Sequence, residues 1–414
     1  VPRAGQLVVV ANRIPVNRVT HGGRARWEES PGGLVAALTP ILRDRKGTWV
    51  GWAGTAGAAP EPFTHQGISL RPVGLTRAEV ANFYEGFSNQ TLWPLYHDVV
   101  RRPEFHRHWW RPYVEVNRRY AEAVAKAARR NAAVWVQDYQ LQLVPRFLRE
   151  LRPDLRIGFF LHIPFPPPEL FAQLPWRREL TEGLLGADLA GVQTQDDARN
   201  FQEAARRFAD ATVAGDTLRT AGRTSAARPY PISIDVERYE SLAESPATAK
   251  RVAALRRRLG EGRRIFLGVD RLDYTKGIDL RLKAFGELLV SGRVALDEAV
   301  FVQVAVPSRE RVPEYAETRD RVEGLVGSIN GQFGQVGHAA VHYLRRNLPA
   351  EELVALYRAA DVMVVTPLRD GMNLVAKEYV AARTDNAGVL VLSEFAGAAR
   401  ELTAALLVNP PDVD

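Results

Sequence analysis

Arg271 and Lys276 stand five residues apart in Val269-Asp270-Arg271-Leu272-Asp273-Tyr274-Thr275-Lys276-Gly277. Two cations in a loop between a β-branched run and a helical pattern can hold a diphosphate without a metal ion. A solvated loop would carry the same residue types, but their spacing at a strand end favours an anion site. Arg309, in Ala305-Val306-Pro307-Ser308-Arg309, follows the next run and is a second candidate clamp. Arg13, in Ala11-Asn12-Arg13-Ile14-Pro15, is a third, because arginine at the carboxyl end of a strand seldom serves packing. The strongest local pattern is the stretch Thr366 to Glu378. Asp370 closes a run, Gly371 turns the chain, and the N–H groups of Met372, Asn373 and Leu374 open a helix aimed at an anion. Glu378 lies eight residues beyond Asp370, about two helical turns further along. One carboxylate can hold sugar hydroxyls and the other a ribose.

Other positions carry two readings each. Gly32-Gly33 before Leu34 exposes backbone N–H groups to a phosphate or sugar oxygen, or is an ordinary helix start. Trp49, Trp52, Tyr84, Phe87 and Trp93 read as aromatics clustered in loops. Such rings stack on sugar faces, but on their own they more often fill a core or its rim. Asp138, in Gln137-Asp138-Tyr139-Gln140, can accept from sugar hydroxyls or cap a helix. His162, between Phe160-Leu161 and a proline-rich turn, is a functional histidine or a satisfied structural one.

These residues need elements to hold them at the ends of strands. Short apolar runs recur at Leu7–Val10, Val134–Val136, Ile157–Leu161, Ala190–Gln193 and Pro231–Ile234. They continue at Ile265–Val269, Val300–Val306, Val341–Leu344, Val362–Thr366, Val389–Leu392 and Leu406–Val408. Unalternated runs separated by helix-length segments predict buried parallel strands in βαβ units. Helices are predicted at Arg118–Arg130, Ala247–Arg258, Leu280–Val290 and Glu351–Ala359. The fold class is α/β, with two doubly wound domains, 1–235 and 236–414, facing each other across a cleft. Ligands of such folds lie at the carboxyl ends of the strands.

At 414 residues the chain is comfortable as two domains. The formal charge is +7, from 55 basic and 48 acidic residues, and is scattered with no nucleic-acid motif. The absence of cysteine excludes disulfides, thiolate metal sites and cysteine nucleophiles. No apolar run reaches the roughly 20 residues of a membrane span, and no signal peptide is visible at the start. The reading is a soluble cytoplasmic protein. Neither a metal-ligand spacing nor a Walker phosphate loop occurs.

Taken in order, the motifs resemble the trehalose-6-phosphate synthase family, glycosyltransferase family 20. They are Ala-Asn-Arg-Ile-Pro at 11–15, Gly-Gly-Leu at 32–34, Gly-Trp at 51–52, Leu-Trp-Pro at 92–94 and Asp-Tyr at 138–139. Phe-Leu-His-Ile-Pro-Phe-Pro at 160–166, Arg-Leu-Asp-Tyr-Thr-Lys-Gly at 271–277, Asp370–Glu378 and Leu392–Gly397 complete the set. The resemblance runs from Leu7 to Pro410 and implies a retaining GT-B transferase. It would move glucose from UDP- or GDP-glucose to glucose 6-phosphate. It implies that Arg13 and Arg309 hold the acceptor phosphate, with Trp52, Tyr84, Trp93 and Asp138 completing the acceptor site. Gly33 lies near the donor phosphates, and His162 and Asp370 hold the donor glucose. Arg271 and Lys276 clamp the diphosphate, Leu374 and Val375 give backbone contacts, and Glu378 binds the ribose. No cofactor or metal is implied. With no carboxylate placed as a nucleophile, the residues fit a front-face mechanism in which the clamp stabilises the leaving phosphate.

Some positions depart from the family pattern. Gln137 and Gln140 flank Asp138-Tyr139 where histidines are usual, and Ser233 replaces a usual glycine. Leu348 stands where an aromatic is often found near the base, which leaves uridine and guanosine both open. The rival readings are a related transferase with another sugar- or polyol-phosphate acceptor, and a catalytically silent sugar-phosphate sensor. The residues leave open whether the chain forms a homo-oligomer.

Overall fold

The computed structural model describes residues 5–21, 24–30 and 33–413. The chain divides into two compact units, Val1–Pro231 and Ile232–Asp414. In the first, seven parallel strands make the body of one sheet. Across the sheet they lie in the order Arg223–Pro229, Leu189–Val192, Arg156–Phe160, Ala133–Gln137, Leu7–Arg13, Thr48–Trp52 and Ile68–Val73. Chain order therefore runs outward from Leu7–Arg13 to one edge and then reverses beside it, as in doubly wound folds. Short antiparallel strands finish the sheet: Thr212–Ala214 and Thr217–Thr220 at one side, Phe63–His65 at the other. The central runs are apolar throughout because helices cover both faces, and Val8, Val9 and Val10 have no exposed surface.

The second unit is a six-stranded sheet, parallel throughout among the described residues. Its order is Val341–Leu344, Ala299–Val306, Arg264–Arg271, Val362–Val365, Val389–Ser393 and Leu406–Val408. This is the dinucleotide-fold order 3-2-1-4-5-6. Ile278–Val290 and Pro313–Phe333 cover one face, around Leu282, Phe285, Phe301 and Val322. Val236–Glu244, Pro246–Leu259, Ala350–Ala359 and Leu374–Ala382 cover the other, around Leu267, Val302, Tyr357 and Met363.

Several expectations are corrected. Pro231–Ile234 is not a strand; the last parallel strand of the first unit is the more polar Arg223–Pro229. The helix expected from Arg118 begins at Arg107 and ends at Ala127. The aromatics expected in loops are on regular elements. Trp49 and Trp52 are in the buried strand Thr48–Trp52, whereas Tyr84 and Phe87 are in a thirteen-residue π-helix, Val80–Leu92. Trp93 opens the helical turn Trp93–Tyr96. In the π-helix Ser88 Oγ, Asn89 Nδ2 and Gln90 Nε2 each donate to the carbonyl five residues back, at 2.8, 2.8 and 3.2 Å. Gly86 lies where a Cβ would come within 2.6 Å of the Trp109 ring, so the wide helix packs tightly there.

Candidate active site

In each sheet the chain reverses direction between its first and fourth strands, where open α/β sheets hold ligands. In the second unit those strands are Arg264–Arg271 and Val362–Val365. Arg271 is exposed at the end of the first. Lys276 closes the short helical turn Tyr274–Lys276, which Asp273 initiates by accepting from Thr275 N at 3.0 Å and Thr275 Oγ1 at 2.9 Å. Gly277 follows with φ +59°, and a Cβ there would sit 2.2 Å from the Thr366 carbonyl oxygen. Only glycine lets this turn lie against the fourth strand. So placed, Lys276 Nζ donates to Asp370 Oδ2 at 2.6 Å, with side-chain exposures of 11% and 14%. Asn373 Nδ2 donates to the same oxygen at 3.1 Å.

The structure revises the expected geometry around Asp370. It does not close the strand, which ends at Val365, but pairs in isolation with Ala396. The helix begins at Leu374, not at Met372, with Asn373 at φ +80° accepting from Ala376 N at 3.1 Å. Of the first-turn N–H groups, those of Leu374 and Val375 have no intrahelical acceptor and suit a ligand oxygen. Glu378 is one turn into this helix rather than two turns from Asp370. Tyr357 Oη donates to Glu378 Oε2 at 2.8 Å. Burial raises the Glu378 carboxyl against the pull of Tyr357 and Tyr239. Leu348 packs into the apolar core beside Val354 and Leu356, so burial accounts for an aliphatic side chain at that position.

Two buried ion pairs that the sequence did not reveal brace this region. Arg281 Nη1 donates to Asp270 Oδ2 at 2.6 Å, and Nη2 to the Lys276 carbonyl at 2.7 Å. Arg281 Nε reaches Thr366 Oγ1 at 3.0 Å. One guanidinium thus joins the first strand, the lysine turn and the fourth strand. Arg309, with φ +46°, turns toward the interior: its Nη1 donates to Asp273 Oδ2 at 3.2 Å and meets the Tyr315 hydroxyl. Burial would raise the Asp273 carboxyl, but Arg309, Arg271 and Lys276 and the Thr275 N–H bring it down to about 2.

In the first unit the corresponding strands are Leu7–Arg13 and Ala133–Gln137. The Arg13 guanidinium is exposed, donates to Asn17 Oδ1 at 3.0 Å and lies 5.5 Å from the Trp52 ring centre. Gly54, at φ +86°, leaves its space: a Cβ would stand 1.8 Å from Arg13 Nη2. Trp52 and Tyr84 are ring neighbours at 6.1 Å, so Arg13, Trp52 and Tyr84 form one cluster. Trp93 is apart from it, buried against His97 at 4.2 Å and Tyr139 at 5.5 Å. Asp138 has φ +71° and ψ 171°, a backbone state that only glycine adopts without strain. Its Oδ1 accepts from His162 N at 3.1 Å. His162 Nε2 meets Gln137 Oε1 at 2.9 Å, and burial lowers the ring's affinity for a second proton despite the nearby Asp138. Gly33 opens the helix Gly33–Asp44. Pro31 and Gly32, which carry the rest of that motif, lie outside the described residues.

Two Rossmann-like units, each with charged side chains at its reversal point, match the fold of GT-B glycosyltransferases. The chain belongs to glycosyltransferase family 20, whose sequence profile matches residues 5–414. A trehalose-6-phosphate synthase of Mycolicibacterium smegmatis is 56% identical over 98% of this chain and 83% of its own. A Burkholderia xenovorans α,α-trehalose-phosphate synthase (UDP-forming), solved with glucose-6-phosphate, aligns with TM-score 0.89 and 37% identity. That alignment covers 99% of this chain and 90% of the other. An Escherichia coli structure with UDP-2-fluoro glucose bound aligns with TM-score 0.90 and 36% identity over 99% and 89%. Among the described residues no helix is long and apolar enough to cross a membrane.

Proposed function

We propose that this enzyme transfers glucose from UDP-glucose to glucose 6-phosphate, giving α,α-trehalose 6-phosphate and UDP. The observation that carries the proposal is the Lys276–Asp370 pair, set with Arg271 at the reversal point of the second sheet. A cation and a carboxylate 2.6 Å apart can hold a diphosphate oxygen and a sugar hydroxyl side by side. The kinship with UDP-forming synthases supports uridine over guanosine as the base.

In this reading the donor C1–O bond to the β-phosphate breaks as the anomeric oxygen of glucose 6-phosphate bonds to C1 on the same face. The proton of that oxygen passes to the leaving phosphate. Arg271 and Lys276 neutralise the charge that grows there, which removes the need for a metal ion. Asp370 and His162 hold the donor glucose, Glu378 the ribose, and Leu374 and Val375 the phosphates through their N–H groups, with Gly33 near them. Arg13 and Arg309 bind the acceptor phosphate, and Trp52, Tyr84, Trp93 and Asp138 shape the rest of the acceptor site. Residues 1–235 would supply most of the acceptor contacts and 236–414 most of those to the nucleotide sugar.

Nucleotide release from UDP-glucose and from GDP-glucose, each with and without glucose 6-phosphate in EDTA, tests the proposal. Release of UDP that requires the acceptor and survives EDTA is expected. A faster GDP-glucose reaction would overturn the base, loss in EDTA would overturn metal independence, and no release would overturn the activity.

A further inference from the structure

Gln137 ends the strand Ala133–Gln137 with 1% of its surface exposed. Its Oε1 lies 2.9 Å from His162 Nε2. A side-chain amide does not titrate, so an accepting Oε1 requires a proton on that ring nitrogen and leaves Nδ1 as an acceptor. The other half of the amide is unusual. Gln137 Nε2 is buried and has no hydrogen-bond partner among the described residues. Buried donors are almost always satisfied, and an orphan beside a strand-end histidine points to a missing acceptor.

We propose that Gln137 is a positioning residue for His162, fixing the ring as its Nε2–H tautomer while its own Nε2 donates to a hydroxyl of the bound sugar. The second half rests on the activity proposed above; the first does not. The surroundings suit a neutral ring. Phe160 packs its ring edge at 4.7 Å, and Gln193 Nε2 donates to the His162 carbonyl at 3.3 Å. Among charged groups nearby, Asp138 accepts the His162 backbone N–H, and Asp197 is engaged by the N–H of Phe165. Burial disfavours the imidazolium more than Asp138 favours it.

The test uses the full chain labelled with ¹⁵N at its eight histidines. His162 is assigned by the resonance that moves in Gln137→Glu. The expected spectrum shows a neutral Nε2–H ring from pH 8 to pH 6. A proton on Nδ1, or a ring charged at pH 7, overturns the proposal. Gln137→Glu should then raise the pH at which the ring charges, because a carboxylate faces Nε2–H. Gln137→Leu should scramble the tautomer and raise KM for UDP-glucose about five- to tenfold, the loss of one hydrogen bond. A folded Gln137→Leu with unchanged tautomer and unchanged KM overturns it; should that variant fail to fold, Gln137→Glu carries both readouts. A wild-type chain that forms no disaccharide phosphate sinks the activity, while the ring spectrum still judges the Gln137 contact.

Discussion

The Lys276–Asp370 contact separates two roles that a single substitution would confuse. Both side chains are nearly buried, and they meet at 2.6 Å. Lys276→Met keeps the stem and removes the charge, while Asn373 Nδ2 still donates to Asp370. Breaking a buried pair from one side costs about 3–5 kcal/mol. In a unit of this size that lowers its melting temperature by about 10 °C. Turnover should fall further, since a lost charge clamp costs on the order of 3 kcal/mol of barrier, more than a hundredfold. Asp370→Asn alone leaves a buried ammonium and should be similarly unstable. In Lys276→Met/Asp370→Asn neither charge remains, and about 2–3 kcal/mol of stability should return through the coupling of the two sites. Turnover should not return with it. Calorimetry and acceptor-dependent UDP release on the four proteins complete the cycle. A double variant that regained activity along with stability would show the pair to be structural. A Lys276→Met protein that melted like the wild type would refute the burial argument itself.

Three further outcomes are expected. Arg13→Ala should raise KM for glucose 6-phosphate about tenfold at unchanged melting temperature, because the side chain is exposed; Arg309→Ala should also destabilise, since it leaves buried Asp273 without its cation. Asp273, held down to about 2 from an ordinary 3.8, contributes stability above pH 4 that is lost as pH falls through 2, about 2 kcal/mol in all. The stability gap between wild type and Asp273→Asn should therefore be full at pH 7 and closed near pH 2, and a gap independent of pH would reject the assignment. Asp138→Gly should be more stable than Asp138→Ala by about 1–2 kcal/mol, because both lose the carboxylate and only glycine relieves the backbone; both should lose turnover, and equal melting temperatures would show the residue to be unstrained.

Strands were legible wherever a short apolar run was unbroken, even at the sheet edge where Leu406 and Leu407 are exposed. Val341–Leu344 and Leu406–Val408 match the structure end to end. Arg223–Pro229 was missed because it pairs next to the polar margin of its sheet and holds two arginines and a threonine. Thr48–Trp52, interrupted by Gly51, and Ile68–Val73, interrupted by Arg71 and Pro72, lack the unbroken aliphatic run by which the other strands were read. The π-helix Val80–Leu92 matches no 3.6-residue template, so its aromatics passed for loop residues. At the candidate site, charge type and nearness to a strand end singled out Arg13, Arg271 and Lys276, whereas Asp370, expected to close a strand, pairs in isolation beyond the one that ends at Val365. Their partners were not visible. Lys276 meets Asp370 across 94 residues, Arg309 meets Asp273 across 36, and His162 meets Gln137 across 25. Lys276 and Arg309 were read as facing a ligand alone, and His162 as either functional or structurally satisfied; a carboxylate or amide of the same unit already holds each.

The same partners explain why non-glycine residues occupy costly backbone at these loops. Lys46, Gln66 and Asn131 have positive φ in ordinary surface turns. Asp138, Arg309 and Asn373 have it at strand ends or a helix cap, and each is fixed by a contact that a relaxed backbone would break. Asp138 turns its carboxylate onto the His162 N–H, Arg309 turns its guanidinium onto Asp273, and Asn373 caps Ala376 while donating to Asp370. Strain of this kind persists where the surroundings over-determine it. Glycine at any of the three would relax the loop and remove the side chain that the loop exists to aim. The energy stored there is of the same order as one lost hydrogen bond, and the return is a side chain held on its intramolecular partner.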